Sequence, residues 1–285
     1  MDKVRINDVE IAYEVSGDGE PVLLIHGAMV ADAMRPLASR LTDHRTIVYH
    51  RRGYGESTGA PSDVPTHAAD ARALLEHLGI TSAHVIGHSY GGSTALQLGS
   101  DAPELVASLT LLEPGILAQI PSGELVGGAM TPIVETFMSG DADGATKMFA
   151  RFVMGPEAER WTETNVGPGT VEQAVRDATT AFGGDITSLG EWSFGADEAA
   201  RITCPVLVVL GLDSKATVLT AIRELGTEIA DVDFFGEMVE VAKSWMPQAE
   251  VATLEGINHA LQIQDPEAVT KAVATFLSQH KLVPA

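Results

Sequence analysis

The stretch that most constrains this chain is Val85-Ile86-Gly87-His88-Ser89-Tyr90-Gly91-Gly92. A short apolar run meets a sharp turn, and a helix is expected from about Tyr90. Small residues stand two places either side of Ser89. Anything larger at Gly87 or Gly91 would crowd a neighbouring strand or helix. Ser89 is expected in a strained conformation with its hydroxyl in the open. The following helix turns free N–H groups and the positive end of its dipole toward that hydroxyl. Those are the needs of acyl transfer by a serine. An ordinary Gly-rich strand-to-helix turn has the same letters, so the rest of the chain must decide.

The rest of the chain supplies a rhythm. Val4-Arg5-Ile6 and Val9 to Val15 flank Asn7-Asp8 and read as a β-hairpin. Val22-Leu23-Leu24-Ile25 is uninterrupted and apolar, as expected of a central strand covered on both faces. Helical spacing runs from Ala31 to Leu41 and from Thr66, a candidate cap, to about Leu78. Strands are expected at Thr46–Tyr49, His84–His88, Leu105–Leu112, Pro205–Gly211 and Ala249–Leu254. An amphipathic helix, Pro266 to Gln279, closes the pattern. Alternating strands and helices imply a parallel sheet with crossover helices. Ligands bind such sheets beyond the carboxyl ends of the strands, where His26, Ser89 and Glu113 all fall.

From Gly115 to Arg201 the rhythm breaks into short apolar helical segments interrupted by Gly and Pro. The segment keeps too many large apolar residues for a disordered linker. The expected organisation is a core of residues 1–114 and 202–285 with a helical cap, or lid, at 115–201.

Composition excludes several classes. With 18 Lys and Arg against 39 Asp and Glu, the net charge is −21, a poor match to a nucleic-acid backbone. No apolar run approaches the ~20 residues of a membrane helix, and the start has no apolar secretory core. A single cysteine, Cys204, excludes a disulfide framework. A cytoplasmic protein acting on a small molecule is expected. No metal-ligand spacing, phosphate loop or nicotinamide fingerprint is found, so no cofactor is implied.

A serine hydroxyl needs a base to take its proton. Among 9 histidines, His259 follows the last strand on the same sheet edge as Ser89. His88 is expected to pack beneath the turn, His26 to shape its loop, and His50 to be structural. Two carboxylates compete to orient His259. Asp213 is favoured by the chain order Ser, Asp, His; Glu113, after the strand next to the turn, is the alternative. The N–H groups of Ala28 and Tyr90 are the candidate oxyanion donors. Met29 and the insert residues Met130, Phe137, Phe152 and Trp192 are candidate pocket walls.

These motifs together carry a resemblance. Leu24-Ile25-His26-Gly27, Arg52-Gly53-Tyr54-Gly55-Glu56-Ser57, Gly87 to Gly92 and Gly256-Ile257-Asn258-His259 occur in the order of the α/β-hydrolase fold superfamily, in its lid-bearing serine hydrolase branch. The resemblance implies an α/β fold with a mostly parallel eight-stranded sheet flanked by helices, a cap after the sixth strand, and a Ser-acid-His triad. His50 stands where the family often has Asp. The family's acid often falls at the position of Ser214, so Asp213 is one residue early, which keeps Glu113 open. Dehalogenases and epoxide hydrolases of the superfamily carry Asp at the turn, and Ser89 argues against both. The expected function is hydrolysis of a small neutral carboxylic ester, lactone or thioester through an acyl-enzyme on Ser89. The alternatives are a C–C bond hydrolase, a cofactor-free perhydrolase or acyltransferase, and a ligand receptor that retains the triad.

Overall fold

The computed structural model describes residues 1–228 and 230–282. Residue 229 and residues 283–285, within the expected 202–285 segment, lie outside the described residues. Eight strands form one sheet: β1 (Asp2–Ile6), β2 (Val9–Ser16), β3 (Glu20–Ile25), β4 (His44–Tyr49), β5 (Ala83–His88), β6 (Val106–Leu112), β7 (Val206–Gly211) and β8 (Glu250–Leu254). Their order is β1-β2-β4-β3-β5-β6-β7-β8. β1 pairs antiparallel with β2, and β2 with β4; all other pairs are parallel. The opening hairpin turns on Asn7 (φ 45°) and Asp8 (φ 65°). Two successive positive φ angles match the twist of the strands they join, and Asn and Asp tolerate them.

Period-two alternation divides the central strands between two apolar layers. Leu23 and Ile25 of β3 face a core shared with the helices Val64–His77 and Tyr90–Asp101 and with the segment after β6. Val22 and Leu24 face the opposite layer, closed by Leu37, Val273 and Phe276. β8 is the exception. It forms the sheet edge and is largely exposed.

Two local expectations are corrected. The stretch Ala31 to Leu41 is helical only over Arg35–Ala38, with Pro36 in its first turn. Proline is tolerated there but not deeper in a helix, so a helix containing it cannot begin several residues earlier. The Val64–His77 helix is capped by Asp63, whose carboxylate accepts the Thr66 N–H, and Thr66 lies inside the helix.

Between β6 and β7 the structure describes only helical elements and loops. The longest helix is Ala142–Met154, and a π-helical turn at Ala181–Asp185 runs into the helix Ile186–Glu191. This insert packs over the carboxyl ends of the strands, above Ser89, Glu113 and His259.

Candidate active site

β5 ends at His88 and the helix Tyr90–Asp101 begins two residues later. Ser89 alone makes the turn, at φ 51° and ψ −119°. A non-glycine residue there is strained, and the surroundings hold it in place. A Cβ at Gly87 would lie 2.2 Å from the Gly91 carbonyl oxygen, and one at Gly91 would lie 2.3 Å from that of Ile25. The glycines are therefore steric necessities of the turn.

His259 comes from the loop after β8. Its Nε2 lies 3.0 Å from Ser89 Oγ, and its Nδ1 lies 2.7 Å from Glu113 Oε2. With Nδ1–H donating to the carboxylate, the Nε2 lone pair is left facing the hydroxyl. The loop is pinned by Asn258, whose side-chain amide donates to the Met154 carbonyl of the insert (2.7 Å) and whose side-chain oxygen accepts the Ala260 N–H (3.1 Å).

The structure corrects the preference for Asp213. Glu113 is buried at 2% exposure. Its second oxygen, Oε1, accepts the Gly211 N–H and the Ser214 hydroxyl, each at 2.7 Å. Asp213 is exposed, and its carboxylate accepts no hydrogen bond from a described residue. It lines a surface hollow with Arg151 and Thr217, away from the Ser89 cleft. Ser214, the first residue of the helix Ser214–Glu224, is the one that turns inward, fully buried. Adjacent helical residues point about 100° apart, so a shift of one position separates a side chain in the site from one in solvent.

Among the described residues, the backbone N–H groups of Ala28 and Tyr90 have no hydrogen-bond partner, and both residues line the cleft at Ser89. The other histidines take supporting places. His88 donates from Nε2 to the His259 carbonyl at 2.8 Å. Burial, and then the proximity of His259, push its pKa down to about 3, so it is neutral. His26 donates from Nδ1 to the Gly27 carbonyl and accepts the Arg51 N–H at Nε2. Burial and the Arg51 charge hold it well below the usual histidine range. His50 bonds Asp32 at 3.0 Å and the Glu56 N–H at 3.0 Å, away from Ser89.

Two spaces meet at Ser89. A larger cleft runs under the insert, with Leu117, Val126, Met130, Phe152 and Phe235 among its walls. A much smaller one is lined by Met29, Thr146, Ala150 and Ile263 among others. Ala28, Ser89, Phe149, Val153 and His259 border both, so Phe149 and Val153 form the partition. Met29, Met130 and Phe152 thus lie on the walls. Phe137 and Trp192 do not, and that expectation is corrected. Phe137 stacks on Phe182 at 4.9 Å within the insert. Trp192 packs against Phe194, and its indole N–H donates to Gln97. Phe149 and Val153 were missed, although their i, i+4 spacing on one helix marked an apolar face.

No cluster of three or more metal-ligating side chains occurs among the described residues. No helix described is long and apolar enough to cross a membrane.

Comparison with known proteins agrees with this architecture. Over 281 residues the chain is 27% identical to the dihydrolipoyllysine-residue acetyltransferase component of the acetoin cleaving system of Pseudomonas putida, covering 94% of this chain and 66% of that protein. The chain spans 41% to 66% of the length of several such curated relatives. It is 25% identical over 295 residues to a non-heme chloroperoxidase of Kitasatospora aureofaciens, covering 95% and 97% of the two chains. The solved structure of a thermophilic esterase from Thermogutta terrifontis matches with a TM-score of 0.75 at 20% identity, over 99% of this chain and all of that one. That likeness is one of fold. A family profile described as the alpha/beta hydrolase fold matches residues 20–235, three quarters of the chain. The chain belongs to the alpha/beta hydrolase fold family.

Proposed function

We propose that the protein is a serine hydrolase of neutral carboxylic esters, with Ser89 as nucleophile, His259 as base and Glu113 as the orienting acid. One observation carries the reading: an unbroken hydrogen-bonded series from Glu113 through His259 to Ser89, at 2.7 and 3.0 Å. Ser89 Oγ adds to the ester carbonyl and its proton passes to His259 Nε2. The carbonyl oxygen, now an alkoxide, is held by the Ala28 and Tyr90 N–H groups. Glu113 stabilises the imidazolium without taking its proton. Collapse of the tetrahedral intermediate expels the alcohol, which takes the proton from His259. Water, deprotonated by the same histidine, adds to the acyl carbon, and collapse breaks the bond to Ser89 Oγ, which takes the proton back from His259 as the acid leaves.

The larger cleft has the character of a site for an apolar group, with few polar side chains on its walls. Glu124 and Glu135, exposed at its rim, disfavour anionic substrates, in keeping with the net charge of −21. The insert, residues 115–201, acts as its roof. Acyl transfer to an acceptor other than water is the second reading. It is favoured by the likeness, over 281 residues, to an acetyltransferase component of Pseudomonas putida.

A fluorophosphonate tests the first reading. The wild-type protein should gain one adduct, localised to Ser89 by peptide mass spectrometry, and Ser89→Ala should gain none. An adduct at another residue would sink it. Comparing turnover of neutral and anionic esters of matched size tests the substrate class, and a preference for the anions would overturn it.

A further inference from the structure

Arg51 lies two residues past the end of β4, and its side chain is entirely buried. All five of its guanidinium N–H donors find acceptors. Nε donates to the His26 carbonyl (3.1 Å), and Nη2 to the Gly27 carbonyl (3.0 Å). Nη1 and Nη2 grip the two oxygens of Asp185, and Nη1 also reaches His67 Nε2 at 3.3 Å. The guanidinium lies over the rings of Tyr54 and Tyr90, 4.7 and 4.5 Å from their centroids. Burial works against its charge, but the Asp185 carboxylate more than offsets this and holds Arg51 cationic. Asp185 is also fully buried, accepts the Tyr54 hydroxyl at 2.6 Å, and ends the π-helical turn of the insert.

Two of these contacts bear on the proposed chemistry. The Gly27 C=O and the Ala28 N–H are opposite ends of one planar peptide unit. Arg51 Nη2 and His26 Nδ1 both donate to that carbonyl oxygen, at 3.0 and 2.7 Å. Fixing the oxygen fixes the direction of the N–H. A cation at the carbonyl end also polarises the unit and strengthens its N–H as a donor. The second candidate donor belongs to Tyr90, whose ring rests on the same guanidinium and whose hydroxyl bonds Ser188 of the insert at 3.0 Å. One cation therefore touches the Gly27–Ala28 peptide unit at its carbonyl end and the Tyr90 ring, and its counter-ion comes from a segment 134 residues away.

We propose that Arg51 is a positioning residue for oxyanion stabilisation, and that its pairing with Asp185 makes the alignment of the Ala28 and Tyr90 N–H groups depend on the seating of the insert. This rests on the reading of Ser89 as the nucleophile. Arg51→Lys separates the two tasks. A single ammonium can keep the charge beside Asp185, but it cannot also fork to the His26 and Gly27 carbonyls. The variant should fold and still take the fluorophosphonate on Ser89. Its kcat on a neutral ester should fall by roughly 10- to 100-fold, a fraction of the loss on deleting an oxyanion donor, with KM within about threefold.

The double variant Arg51→Met/Asp185→Leu guards against misfolding, since it leaves no unpaired buried charge. It should melt near the wild-type temperature and show the same kcat loss. Should both fail to fold, the isosteric Asp185→Asn carries the test, with kcat lowered at least about fivefold and KM little changed. A folded double variant with wild-type kcat, or losses confined to KM, would overturn the proposal and leave the pair as a mere tether. Failure of the Ser89 reading looks different: the wild-type protein itself would not be labelled at Ser89.

Discussion

β6 and β7 are neighbours in the sheet, and each is followed by an acidic residue close to the Ser89 edge. Glu113, after β6, is buried with both oxygens engaged, by His259 on one side and by Gly211 and Ser214 on the other. Asp213, after β7, stands in solvent. The difference lies in the donors each strand end supplies. The end of β7 offers an N–H and a hydroxyl pointing into the edge of the sheet, and an acceptor is needed to meet them. Glu113 has the reach, at the cost of a positive φ of 43°. Proximity to a strand end is therefore insufficient. A carboxylate suited to orient a histidine is one whose surroundings keep it ionised, dry and fixed.

This comparison can be broken experimentally. The largest expected effect is Glu113→Gln, which should lower kcat by about 10³- to 10⁴-fold, because an amide neither balances the imidazolium nor enforces the tautomer. Steady-state kinetics on protein with an unchanged circular dichroism spectrum would check it. Activity within tenfold of wild type would remove Glu113 from the mechanism.

A sharper test moves the acid across. Ser214 Oγ lies 2.7 Å from Glu113 Oε1, so the two side chains share one polar slot. In a Glu113→Gly background, where glycine relaxes the positive φ, Ser214→Asp should recover activity by roughly 10- to 100-fold. No recovery in a folded double variant would mean that the slot cannot be filled from β7.

Ser214→Ala alone should lower kcat about three- to tenfold. It deletes one of three hydrogen bonds to a buried carboxylate and leaves the other two. A drop as deep as that of Glu113→Gln would make Ser214 an indispensable part of the relay. Smallest of all is Asp213→Asn, expected within about twofold of wild type, as for an exposed residue without partners. A larger loss in a pH–rate profile would restore the competing assignment.

The sheet, the strained turn and the place of His259 were legible because each is local. An apolar run, two glycines around a serine, and a histidine just past the last strand are each patterns only a few residues long. The choice between Asp213 and Glu113 was not, because Asp213 and Ser214 differ only in rotation about a helix axis, which spacing alone does not set. Phe137 and Trp192 illustrate a related limit. Both lie in the insert as expected, but insert helices bury aromatics against one another as well as toward the cleft, and composition does not separate the two. The Arg51–Asp185 pair carries no local signal at all, since its partners are 134 residues apart.

That separation has a consequence for how the molecule assembles. A guanidinium cannot be dried before its counter-ion arrives without a cost of several kcal/mol. While the insert is undocked, Arg51 must stay hydrated, and the His26–Ala28 backbone it holds stays wet with it. Contacts between residues far apart in sequence close late, after local structure has formed. The β3–β4–β5 part of the sheet can thus mature early, but the Ser89 cleft becomes a dry chamber only in the final docking step. In refolding followed by pulsed hydrogen exchange, protection of β3 and β5 should therefore precede protection of the Arg51 amide, which bonds His26 in the finished fold.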